Sequence, residues 1–162
     1  MKVKAYVLAG MAVLLYLSAA PKEVRTEGLS PGDLAPRIES LENERDFNFR
    51  NHSGRYTLLN FWATYDAESR VRNIRLANVS GKMSRNRVVL CSVSLDESPS
   101  VFSETIRIDR LDRATQFHET KGKNSTLYRR YNLKKGFGNF LIDENGVIVA
   151  KDLTPEELAE VE

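Results

Sequence analysis

Leu58-Leu59-Asn60-Phe61-Trp62-Ala63-Thr64-Tyr65-Asp66-Ala67-Glu68-Ser69-Arg70 is the stretch on which the fold turns. Tyr56 to Trp62 is apolar enough to predict a central strand. Beyond it Ala67, Val71, Ile74 and Met83, with Leu76, Ala77 and Val79 between them, have the spacing of an amphipathic helix ending near Gly81. Asp66 stands at the junction. Its carboxylate can accept the amide of Ser69 and face the positive end of the helix, a cap worth about 1 kcal/mol. Arg70, Arg72, Arg75 and Lys82 fall on the other helix face, where they are expected to be solvated.

Val88 to Leu95 is a near-continuous apolar run suited to a strand buried on both faces, with Cys91 inside it. Ser98-Pro99 opens a helix to about Ile108, Arg113 to Phe117 reads as a short strand, and Ser125 to Tyr131 as a short helix. Two apolar runs flank Asn145-Gly146 between Phe140 and Ala150, which predicts a hairpin. Thr154-Pro155-Glu156-Glu157 combines a capping hydroxyl with Pro at the first helical position and Glu at the third, opening a last helix. Upstream, Arg37 to Leu41 and Asp46 to Phe49 are short strand candidates around a turn at Glu42-Asn43-Glu44-Arg45. Strands alternating with helices and closed by a hairpin predict an α/β sandwich around a mixed sheet.

The first residues read differently. Lys2 and Lys4 precede an uncharged run from Ala5 to Ala20, the pattern of an export signal. Those 16 residues fall short of the ~20 that span a bilayer. Cleavage after Ala20 would fall at a bond to Pro21, so a cleaved signal and an uncleaved anchor (residues 5–20) both stay open. The expected location is the periplasm or cell envelope. Residues 21–33 read as a linker, with Gly28, Pro31 and Gly32, and residues 34–162 as one domain. Without Lys2 and Lys4, 22 basic residues face 22 acidic ones, a balance that gives no sign of nucleic-acid binding. A lone cysteine forms no internal disulfide, so packing must supply the stability.

Several segments, in the same order, resemble the TlpA/ResA-type thioredoxin-like (redoxin) family. Leu34-Ala35-Pro36 is similar to the end of that family's lead-in, and Leu58 to Thr64 to its active-site strand. Ser92-Val93-Ser94-Leu95-Asp96 looks like the strand that usually ends in Val-Asp. Tyr131, Leu133 and Phe140-Leu141-Ile142-Asp143 with Gly146 resemble the segment after the family's cis-proline. The resemblance implies a three-layer α/β/α sandwich with a central mixed sheet, an N-terminal hairpin and flanking helices. It also implies thiol–disulfide exchange at a Cys-x-x-Cys pair.

That pair is missing: Asp66 and Ser69 occupy the cysteine places, and Phe137 the place of the cis-proline. Neither a carboxylate nor a hydroxyl can attack a disulfide or resolve a mixed one. Cis geometry before Phe137 would cost about 2.5–4 kcal/mol, so a trans bond is expected. Arg72 and Ile74 replace the acidic residue and proline that commonly follow the second cysteine. Capping is the stronger reading of Asp66, since a catalytic carboxylate would need a nucleophile and Ser69 has no evident His partner.

Cys91, mid-strand, reads as a small buried apolar group rather than a peroxidatic thiol. His52 and His118 lack the paired cysteines of a copper carrier. No cofactor and no metal site is expected, and no residue is assigned a catalytic role. What remains is a surface: Tyr65, Asp66 and Phe137 as partner-binding residues, with Phe137 open to a second reading in which it folds into the core. The sequence thus points to a redox-inactive thioredoxin-like envelope protein that binds a protein or peptide or supports an oxidoreductase complex. The alternative is a working thiol-disulfide oxidoreductase or peroxiredoxin-like enzyme, and a third idea is a spacer without a site.

Overall fold

The computed structural model describes residues 25–38, 41, 54–83 and 87–161. Five strands form one sheet in the order β3-β2-β1-β4-β5. They are β1 (Tyr56–Trp62), β2 (Val88–Ser94), β3 (Gln116–His118), β4 (Asn139–Ile142) and β5 (Ile148–Lys151). The first three run parallel, whereas β4 is antiparallel to both β1 and β5. The helices are α1 (Ala67–Ser80), α2 (Pro99–Ile108), α3 (Thr126–Arg130) and α4 (Pro155–Ala159).

Central β1 is buried along almost its whole length, and its alternation sorts the layers. Leu59, Phe61 and Ala63 face a core completed by Cys91, Val93, Leu127, Tyr131, Leu133, Phe140, Ile142 and Ile148. On the opposite face Leu58 meets Leu76 of α1 and Leu158 of α4, while Trp62 packs on Phe102 and Ile106 of α2. This is the expected three-layer sandwich of the thioredoxin-like fold. The hairpin expected from Arg37–Leu41 and Asp46–Phe49 falls mostly outside the described residues.

A polar chain runs through the apolar interface under α1. Asn60 Nδ2 donates to Asn73 Oδ1 (3.1 Å) and Ser92 Oγ (3.3 Å), and Asn73 Nδ2 donates to Gln116 Oε1 (3.2 Å). All four side chains are buried, so the helix settles only where these donors and acceptors meet across β1, β2 and β3.

Local signals are realised as hydrogen bonds. Asp66, Ser98, Ser125 and Thr154 cap α1 to α4 in turn, and Thr154 with Glu157 completes a capping box. Three readings need correction. The segment Arg113 to Phe117 is not one strand: Arg113–Thr115 is a 3-10 turn under the Asp112 carboxylate, and β3 runs Gln116–His118. The cationic face of α1 is not simply solvated: Arg70 pairs with Asp109, Arg72 donates to the Phe137 carbonyl and Arg75 pairs with Glu156. Packing also takes in residues before Leu34, because Glu27 bridges to Leu34 and is paired by Arg130.

The Asn-Gly hairpin forms with a longer connection than a two-residue loop. Gly146 N donates to Asp143 O (3.0 Å), and only Gly146 of the Asn-Gly pair has positive φ (+83°). That conformation suits glycine, and the Asp143 carboxylate holds the turn through the amides of Asn145 and Val147.

Asn139 clamps the link from β5 to α4, donating to Leu153 O and accepting from Leu153 N, both at 2.9 Å. Asn139→Ala strands both of these main-chain groups. The expected loss is about 2–4 kcal/mol, read as a lower urea midpoint with an unchanged m-value.

Candidate functional site

The site lies at the carboxyl ends of β1 and β2, where the chain turns from Trp62 into α1. Asp66 has extended backbone (φ −113°, ψ 97°) and its Oδ1 accepts the Ser69 amide at 2.8 Å, as a helix cap should. Ser69 is buried, its hydroxyl accepting from Ala63 N (3.3 Å) and donating to Asp66 O (3.1 Å). The Asp66 and Ser69 side chains therefore both close the turn.

Thr64 is held from the neighbouring strand. Asp96, 4% exposed, takes the Thr64 amide on both carboxylate oxygens and the Thr64 hydroxyl at 2.8 Å. Tyr65 follows in the turn with its ring 55% exposed. Across from it, Phe137 rises from the loop between Gly136 and Gly138, which links the 3-10 turn Leu133–Lys135 to β4. The rings of Tyr65 and Phe137 are tilted at 58° with centroids 6.1 Å apart. Phe137 is half-buried against the core, and its ring pairs with that of Tyr65. All peptide bonds among the described residues are trans, Gly136–Phe137 included.

Arg72, in the second turn of α1, reaches the Phe137 loop. One guanidinium nitrogen donates to the Phe137 carbonyl, and the side chain is only 21% exposed. Beside Tyr65 opens a groove of about 500 Å³ lined by Thr64, Leu95, Asp96, Glu97, Ser98, Val101 and Lys123. Partial burial, with the charges of Tyr128, Asp96, Asp66 and Glu97, pushes the Tyr65 hydroxyl up to about 12, so it is neutral at physiological pH.

The structure thus joins Tyr65, Asp66, Ser69 and Phe137 and leaves the other sequence candidates apart. Cys91 lies in β2 in the core, fully buried, and burial pushes its thiol up. His118 ends β3, stacked on Phe102, with Nε2 2.6 Å from Asp96 O; His52 lies outside the described residues. Among the described residues no three His, Cys, Asp or Glu side chains are grouped to hold a metal ion. Sequence reasoning passed over the structural work of Asp96 and Arg72. Their partners lie 32 and 65 residues away, and no local pattern reports them.

With this geometry in place, the likeness to solved structures is specific. A thioredoxin-like protein from Parabacteroides distasonis shares 55% identity, with 84% of this chain and 96% of that one covered and a TM-score of 0.74. The thioredoxin domain of a thiol-disulfide oxidoreductase from Bacteroides vulgatus is 21% identical (82% and 95% covered, TM-score 0.68). StoA from Bacillus subtilis is 21% identical (77% and 98% covered, TM-score 0.60). No protein-family model and no curated protein matches the chain. The chain belongs to the thioredoxin-like family. Thiol-disulfide oxidoreductases share its fold, and its single cysteine is buried in β2.

Two outcomes follow from the turn. Asp66→Ala removes the cap of α1 and should lower unfolding stability by about 1 kcal/mol in urea titration. Asp66→Cys combined with Ser69→Cys puts thiols at the cap and third helical positions, and should yield a reversible disulfide under mild oxidation. Free-thiol titration checks it; persistence of both thiols would mean that the two positions do not have dithiol geometry.

Proposed function

We propose that this chain is a redox-inactive thioredoxin-like protein of the cell envelope that binds an extended polypeptide across Tyr65 and Phe137. The observation that carries the reading is the aromatic pair itself. Two rings stand together at the mouth of the former dithiol site, one of them more than half exposed, above groups already committed to closing the turn. Aromatic side chains beside a shallow groove are effective anchors, because they bury large area at small entropic cost.

Exchange needs an accessible thiolate, whereas Cys91 is enclosed by the core and its thiol is held protonated by burial. An oxidoreductase or peroxide-reducing enzyme would have to open β2 to use it. Cell-envelope location is supported by the signal-like run Ala5–Ala20. No helix among the described residues is long and apolar enough to cross a membrane.

The test is site-specific photo-crosslinking in the native cell, with the probe at Phe137 and, as control, at Arg75 on the exposed face of α1. A discrete adduct from Phe137 alone, lost when Tyr65→Ala is added, is the expected result. Equal adducts from both positions, or none from Phe137, overturn polypeptide binding at this surface. In parallel, native Cys91 should resist a thiol reagent that labels it fully in urea. Rapid labelling of the folded protein would return the enzyme reading.

A further inference from the structure

The groove beside Tyr65 is apolar over most of its lining but not neutral. Tyr65 and Val101, both exposed, line it together with buried Leu95. Asp96 lies in its lining, Glu97 is exposed at its edge, and Asp66 follows Tyr65 in the turn. Among the described residues no lysine or arginine forms an ion pair with any of these three carboxylates. One cation is nonetheless present. The Lys123 ammonium sits over the Tyr65 ring, 5.1 Å from its centroid. A chain segment of the protein itself thereby places a positive charge where the ring face and the carboxylates favour one.

Three features oppose a cation: Lys123 itself, the amino end of α2, which starts at the groove, and Arg70, which feels the Asp96 charge although its guanidinium is paired with Asp109. The first turn of α2 is already served by the Ser98 hydroxyl, which accepts Val101 N at 3.4 Å and pairs with Ser100 Oγ at 2.9 Å. The Asp96 carboxylate is hydrogen-bonded, which tempers its charge without removing it. Of the charged side chains lining the groove, Asp96 and Glu97 are acidic and Lys123 alone is basic, and Glu97 is the carboxylate exposed to a ligand.

We propose that this groove is the subsite for a lysine or arginine side chain of the bound polypeptide, its alkyl stem laid over Tyr65 and Val101 and its charge set against Glu97. The assignment presupposes polypeptide binding at the Tyr65–Phe137 surface and adds a specificity to it. Long cationic side chains suit such a place, because the stem buries apolar area while the head keeps its charge at the rim. Lys123 then acts as an internal competitor, displaced from the ring when the ligand enters.

The experiment is NMR titration of the isotope-labelled full chain with three probes: the capped peptide acetyl-Gly-Leu-Arg-Leu-Gly-amide and its analogues with Gln or Glu in place of Arg. The Arg peptide should bind about fivefold more tightly than the Gln peptide, an ion pair and a cation–ring contact at a partly exposed place, and shift Tyr65, Glu97 and Val101. The Glu peptide should bind most weakly, and added salt should shrink the Arg advantage. Glu97→Gln should erase that advantage, and Lys123→Met should enlarge it. An equal affinity for the Gln peptide, a preference for Glu, or an Arg advantage that survives Glu97→Gln overturns the subsite. Shifts at Tyr65 and Phe137 without charge preference would do so while leaving polypeptide binding intact. No shift from any peptide also overturns the subsite, and polypeptide binding is then decided by the Phe137 adduct.

Discussion

Asp96, buried just beyond β2, accepts the Thr64 amide at 3.0 and 3.1 Å, the Thr64 hydroxyl at 2.8 Å and the Ser94 hydroxyl at 2.7 Å. Its own carbonyl meets His118 Nε2 at 2.6 Å. One residue thus ties the end of β1 to β2 and to the end of β3. A carboxylate taken out of water is costly unless its lone pairs are used, and the Thr64 turn uses them. The turn in turn sets where Tyr65 stands and where α1 begins. Without Asp96 the Thr64 amide would lose its partner, and the aromatic ridge would lose one of its two supports.

The second support is Arg72. Phe137 lies between Gly136, which has φ of +129°, and Gly138, whose missing side chain leaves room for the Asp152 carboxylate. Such a loop has little stiffness of its own, and the guanidinium on its carbonyl supplies an anchor from α1. The helix that carries Arg72 is itself located by Asn73 in the polar chain beneath it. Site geometry therefore descends from the core: sheet register places Asn60 and Ser92, these place Asn73, and the adjacent Arg72 then reaches Phe137.

Legibility in the sequence follows the same division. Strand β1, helix α1, the Asp66 cap, the start of α2 and the capping box of α4 each depend on residues within a few positions, and each is readable from spacing and cap chemistry. The family resemblance supplied the layer order and marked Phe137 as facing the helix start, which periodicity alone could not. The hairpin was visible in Asn145-Gly146, but its turn was set by the Asp143 carboxylate, a side-chain preference that the dipeptide does not encode. Arg70, Arg72 and Arg75 misled because a helical wheel shows which face a charge occupies and not what stands opposite it. The carboxylates of Asp109 and Glu156 and the carbonyl of Phe137 lie 39, 81 and 65 residues away.

Asp66 and Ser69 meet the electrostatics of a helix amino end without a thiol. A helix amino end stabilises a thiolate because it presents unpaired amides and a positive dipole, and those features equally suit a carboxylate. Asp66 satisfies the end of α1 that a low-pKa cysteine would satisfy, and Ser69 fills the inner place with a hydroxyl that both donates and accepts within the turn. With Asp66 and Ser69 in these places the amino end of α1 is capped and the turn is closed without sulfur. On the proposed reading, with no disulfide to meet, Tyr65, Phe137 and the charges around the groove would answer only to what lies across them.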